Sequence, residues 1–78
     1  MRELVDFIAR SLVDDPTQVE VKEFRRGAQV ILNLRVAKED MGRIIGRGGR
    51  VASAIRTLLR VAAGQQGKRA SLDIIEPE

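Results

Sequence analysis

Four of the seven glycines of this chain fall within eight positions, Gly42, Gly46, Gly48 and Gly49, with Arg43, Arg47 and Arg50 set among them. Glycine inside a helix costs about 1 kcal/mol relative to alanine. Such a cluster therefore marks a place where main chain rather than side chain must meet something, and interleaved arginines make phosphate the natural candidate. Three glycine arrangements that hold phosphate can be tested here. A P-loop requires Gly-x-x-x-x-Gly-Lys-Ser/Thr after a buried strand, and no glycine here is followed by that pair in register. A dinucleotide fingerprint requires Gly-x-Gly-x-x-Gly opening a helix straight after a strand. Gly46-Arg47-Gly48-Gly49-Arg50-Val51 lacks its last glycine and follows a helix. The third is a Gly-x-x-Gly turn between two helices, Gly46-Arg47-Gly48-Gly49. Its glycines let a nucleic-acid backbone come close, while the N-terminus of the next helix presents free N–H groups and a positive dipole end. A plainer alternative is an ordinary helix–helix turn whose glycines serve only as caps.

Other chemistry is largely excluded. The chain has no Cys and no His, which removes disulfides, thiol nucleophiles, the usual zinc sites and every imidazole-based triad. The adjacent acidic pairs Asp14-Asp15 and Glu39-Asp40 diverge in direction on any regular element. They read as a helix stop and a helix start, so no catalytic residue, metal ligand or cofactor is expected. Phe7 and Phe24 are the only aromatics, which rules out an aromatic base-stacking platform.

Charge points the same way as the glycines. Net charge is only +3, but Met41 to Ala70 carries seven basic residues and no acidic one, against a remainder of net −4. A one-sided positive field attracts phosphate. With 78 residues, 44% hydrophobic and 32% charged, the chain reads as one globular domain over 1–78, with 76–78 as a tail. No apolar run approaches a membrane span, and Glu3, Asp6 and Arg10 interrupt any signal-peptide core. A soluble, cytoplasmic protein with no membrane partner is the expectation.

The elements that must position the glycine loop follow from periodicity. Leu4, Val5, Ile8 and Leu12 predict a helix from Arg2 to about Val13, stopped by Asp14-Asp15-Pro16. Val19 and Val21 alternate with charged residues in a strand over Gln18–Arg25. A turn at Gly27 leads to a second strand in which Val30, Leu32, Leu34 and Val36 point one way. Lys38-Glu39-Asp40 opens a short helix to about Ile45. A longer helix resumes near Arg50, with Val51, Ile55, Leu58 and Ala62 predicted on its buried face, Ala54 beside them, and Arg56 and Arg60 opposite. The loop Gly64–Gly67 ends it, and a last strand runs from about Arg69 to Ile75, burying Ala70, Leu72 and Ile74. The order α-β-β-α-α-β predicts an α+β fold: a three-stranded mixed sheet covered on one face by three helices. Phe24, Ile31 and Ile75 are then candidates for the open face.

The run Ile44-Ile45-Gly46-Arg47-Gly48-Gly49-Arg50-Val51 resembles the signature of the KH domain, and the element order is that of its type II variant. The small size and the segment Leu12-Val13-Asp14-Asp15-Pro16-Thr17-Gln18-Val19-Glu20-Val21 make the whole chain similar to the KhpA-type family of bacterial single-KH RNA-binding proteins. The resemblance implies that the loop clamps about four nucleotides of single-stranded RNA by their backbone. It places Gly46, Arg47, Gly48 and Gly49 on the sugar-phosphate chain. Arg43, Ile45, Arg50 and Val51 would stand alongside. It also implies an apolar groove for the bases between Ile44 or Ile45, Val51, Ala52 or Ile55 and the last strand near Leu72, flanked by a loop ending at Lys68. The sequence departs from the family pattern in having Gly48 where a second basic residue is common, with Arg43 and Arg50 nearby to supply charge. RNA chaperone activity, a link to bacterial cell shape and cell-wall synthesis, and a Jag/KhpB-type RNA-binding partner are further implications of the resemblance.

Two rival functions stay open at this level: a protein adaptor using the open sheet face, and binding of single-stranded DNA. The apolar arc of the last helix, from Val61 on one shoulder to Leu59 on the other, is wider than the roughly 100° needed to cover one sheet. It suggests a homodimer, unless Leu59 or Val61 packs under the first helix.

Overall fold

In a computed structural model, which describes residues 1–77, the chain forms helix α1 (Arg2–Leu12), strands β1 (Glu20–Arg26) and β2 (Gln29–Arg35), helices α2 (Met41–Ile45) and α3 (Arg50–Gln65), and strand β3 (Arg69–Ile75). Glu78, the last residue of the expected tail, lies outside the described residues. Three single 3-10 turns join these elements, over Pro16–Gln18, Lys38–Asp40 and Arg47–Gly49. The α+β architecture is the expected one. The strands lie in the order β1-β2-β3, with β1 antiparallel and β3 parallel to β2, so β3 is a free edge.

Each boundary has a local cause. Glu3 and Arg10 sit in the first and last turns of α1, where the helix dipole favours them, and Arg10 pairs with Asp6 at 3.0 Å. Val13 is already extended. Gln18, expected to open β1, belongs instead to the 3-10 turn that begins at Pro16, and the Asp15 carboxylate caps that turn by accepting from the Thr17 amide at 3.2 Å. The strand therefore begins at Glu20. Gly27, at φ 57°, makes the hairpin turn.

The inner face of the sheet carries Val21, Val30, Leu32, Leu34 and Leu72, all buried as the alternation predicts, with Val19 buried just before β1, whereas Ala70 and Ile74 of the edge strand are only half-buried. The helix faces differ from expectation. In α1, Val5 and Ala9 are buried, while Leu4 and Leu12 stay partly exposed. In α3 the buried stripe is Ala52, Ile55, Leu59 and Ala63, and Leu58 stays 52% exposed. Ile55 is common to both faces, and the centre of the buried stripe is rotated by about 75° from the predicted one. Of this stripe, Ile55 and Leu59 enter the core cluster with the sheet residues, and the small Ala52 and Ala63 lie buried to either side of them.

A buried carboxylate ties the first half of the chain to the second. Asp40 is only 2% exposed. Its two carboxylate oxygens accept from the main-chain amides of Asp14 and Asp15, at 3.0 and 3.1 Å. This clamp fixes the end of α1 to the start of α2, the helix that leads into the glycine loop.

Candidate nucleic-acid interface

The glycine loop has the backbone that only glycine takes easily. Gly46 ends α2 at φ 75°, ψ 173°, Gly48 lies at φ 63°, and Gly49 at φ 79° caps the N-terminus of α3. Their surroundings differ. A Cβ on Gly46 would collide with Val51 Cγ2 and stand 2.9 Å from the Val51 amide nitrogen, so the loop is folded tightly back on α3 at that point. Gly48 and Gly49 have nothing within 4 Å of where a Cβ would be. The main chain is therefore bare on the outer side of the loop, with the first turn of a 16-residue helix behind it. This is a surface that a phosphodiester can approach closely.

The groove lies beside the loop, between α3 and the free edge of β3. Met41 and Ile45 of α2, Gly49, Ala52 and Arg56 of α3, and Asp73 and Ile74 of β3 line a cavity of about 380 Å³. Beyond Arg56, a second cavity of about 330 Å³ is lined by Ser53, Arg60, Ala70, Ser71 and Leu72. Arg56 borders both. Its Nε and Nη2 donate to the Leu72 carbonyl, which points off the sheet edge.

The predicted residues separate into groups. Gly46, Arg47, Gly48 and Gly49 form the loop, with Arg47 and Arg50 exposed beside it. Ile45, 38% exposed, lies on the groove, whereas Ile44 at 0% and Ile55 at 3% are core residues and present no groove surface. That resolves the choice between Ile44 and Ile45: a five-residue helix has one face toward the core, against α3 and α1, and Ile44 occupies it. Ala52 lines the groove even though it is largely buried. Val51 supports Gly46 from below, and Leu72 contributes its carbonyl. Lys68 is half-buried and lines neither cavity. Arg43 turns back toward α1, where it pairs with Asp14 and lies 3.9 Å from Asp40.

Sequence reasoning missed Arg56 and Arg60 as groove residues. The signal was present: Gly49, Ala52, Arg56 and Arg60 recur at helical spacing directly from the loop, inside the segment without acids. Among the described residues, Arg47, Arg50, Arg56 and Arg60 make no ion pair, so their charge is available to a ligand. Among those residues no three carboxylates gather to hold a metal ion, and no helix is long and apolar enough to cross a membrane.

Two helices joined by a bare Gly-x-x-Gly turn, backed on a three-stranded mixed sheet, make up the layout of a KH module. Residues 2–74 match the family model described as "KhpA/KhpB, KH domain", and the chain belongs to that family. It is 51% identical over 75 residues to the RNA-binding protein KhpA of Caldanaerobacter subterraneus, and 48% identical over 75 residues to that of Clostridium acetobutylicum. Each of these alignments covers 96% of this chain and 100% of the relative. The similarity to KhpA of Borreliella burgdorferi is 45% over 74 residues, 95% of this chain and 90% of the relative. These relatives are named as RNA-binding proteins and not as enzymes. No solved structure matches the chain.

Proposed function

We propose that this protein binds single-stranded RNA, gripping the backbone of about four nucleotides at Gly46–Gly49 and laying the bases along the groove between α3 and β3. One observation carries the reading. The bare main chain at Gly48 and Gly49, with unpaired arginines on either side, opens directly into a groove that ends on a free strand edge. The loop and helix N-terminus suit phosphates. The aliphatic floor suits base faces, and the edge of β3 has main-chain donors and acceptors for base edges. The names of the relatives support RNA as the ligand.

One four-nucleotide grip is a small contact, so the protein works as a dimer, in which paired sites gain avidity. The outward stripe of α3, Ala54, Leu58 and Val61, is the contact, with Val61 58% exposed. A second copy covers it, or a larger KhpB-type RNA-binding protein, as the family description suggests. In the cell the protein acts as a cytoplasmic RNA chaperone or post-transcriptional regulator. Its resemblance to the KhpA-type family extends this to cell shape and cell-wall synthesis.

The test is Arg47→Asp combined with Gly48→Asp, which sets two negative charges where phosphate lies. RNA affinity is expected to fall at least tenfold, about 1.4 kcal/mol, with an unchanged circular dichroism spectrum. Wild type should prefer unpaired RNA to a blunt duplex. Its log affinity should fall against log salt with a slope of about −1.4 to −2.8 for two to four phosphates. Undiminished binding by the folded double variant would overturn the assignment.

A further inference from the structure

The sheet face turned away from the helices is uncovered, and strand register decides which side chains share it. Phe24 stands opposite Ile31, with Ser71 next to that; one row along, Arg26 stands opposite Gln29, with Arg69 next. Phe24 is 49% exposed. The Arg69 amide donates to the Ala28 carbonyl at 2.9 Å, so the start of β3 is held against the hairpin turn, and Arg26 and Arg69 belong to the same end of the sheet. Among the described residues neither arginine makes an ion pair. The acids of this face, Glu20 and Asp73, lie on the other side of the Phe24 row, interspersed with Lys22 and Arg35. An exposed ring with free guanidinium groups on one flank is what single-stranded nucleic acid binds: a π-face for a base and cations for the neighbouring phosphates.

The patch is continuous with the groove. Ser71, which lines the cavity beside Arg60, shares a row with Phe24. Two strand spacings, about 10 Å, separate β3 from β1. A strand leaving the groove past Arg60 rounds the edge of β3 and meets Arg69, then Phe24. Two aromatics are too few for a platform of several rings, but one ring serves one base.

We propose that the open sheet face is a second contact surface for RNA, where Phe24 stacks a base and Arg26 and Arg69 hold adjacent phosphates. One chain then engages more nucleotides than its groove holds. The inference rests on the RNA-binding reading above and extends the site it describes.

The experiment compares random-sequence RNA pools of about four and about ten nucleotides by fluorescence anisotropy. The proteins are wild type, Phe24→Ala, Phe24→Tyr and Arg69→Ala, with thermal unfolding followed for each. Phe24→Ala is expected to lose about fivefold or more on the longer pool and to match wild type on the shorter one, while Phe24→Tyr binds both normally. Arg69→Ala should flatten the salt slope by about 0.7, on the longer pool only. Identical binding of the longer pool by wild type and Phe24→Ala would overturn the proposal, as would equal losses on both pools. Loss of self-association in Phe24→Ala with RNA binding intact would assign the face to protein contact and also overturn it. Failure of the wild type to bind either pool would instead defeat the groove reading, which separates the two.

Discussion

The Arg56 guanidinium donates through Nε and Nη2 to the Leu72 carbonyl, at 3.3 and 3.2 Å, and so spans from α3 to the free edge of β3 between the two cavities of the groove. The side chain stays exposed, so the bond adds little to stability, while the charge lies where the proposed RNA path crosses from one cavity to the next. Arg56→Ala is expected to weaken binding of single-stranded RNA by about fivefold or more, roughly 1 kcal/mol. Its unfolding free energy should stay within about 1 kcal/mol of wild type. Titration by fluorescence anisotropy beside urea unfolding checks both. Tighter binding by the variant would mean that Arg56 closes the groove.

Gly46 and Gly48 have separable roles. Alanine at Gly46 meets Val51 side chain and main chain in a backbone conformation almost confined to glycine. Gly46→Ala is expected to cost about 2–4 kcal/mol. Gly48→Ala meets nothing and takes only the left-handed penalty of about 1–2 kcal/mol. Urea unfolding of the two variants should rank them in that order, and equal stabilities would contradict the tight return of the loop onto α3.

Asp40 is the buried polar group that joins the end of α1 to the start of α2. Asp40→Ala leaves the Asp14 and Asp15 amides without their acceptor and removes a neighbour of Arg43. A loss of about 2–3 kcal/mol is expected, lowering the melting temperature by roughly 8–24 °C in a chain of this size. Asp40→Asn, which keeps one acceptor oxygen, should fall between. Thermal unfolding by circular dichroism reads the series.

Val61 tests self-association. Because it is mostly exposed on α3, Val61→Asp should leave folding intact. Sedimentation equilibrium from about 1 to 100 micromolar should show wild type shifting from monomer to dimer, a two-fold arrangement being the commonest, and the variant remaining monomeric. A wild type that stays monomeric across the range would remove the homodimer from the proposal.

Sequence alone determined whatever depends on neighbours along the chain. Alternation of Val30, Leu32, Leu34 and Val36 set the inner face of β2, because side chains on a strand alternate whatever packs on them. The glycines at 46, 48 and 49 marked the turn, because positive φ is a local demand that few other residues meet. Tertiary structure decided the rest. The apolar arc of α3 is so wide that several helix rotations satisfy its periodicity. Only contact with the sheet selected Ala52, Ile55, Leu59 and Ala63, exposing Leu58. The groove belongs to no single segment: Arg56 reaches the Leu72 carbonyl across 16 residues, and Asp40 reaches the Asp14 and Asp15 amides across 26 and 25. Such contacts form only when the helices cross the sheet at one particular offset. That offset is set by packing the whole core, which no local pattern in the chain encodes.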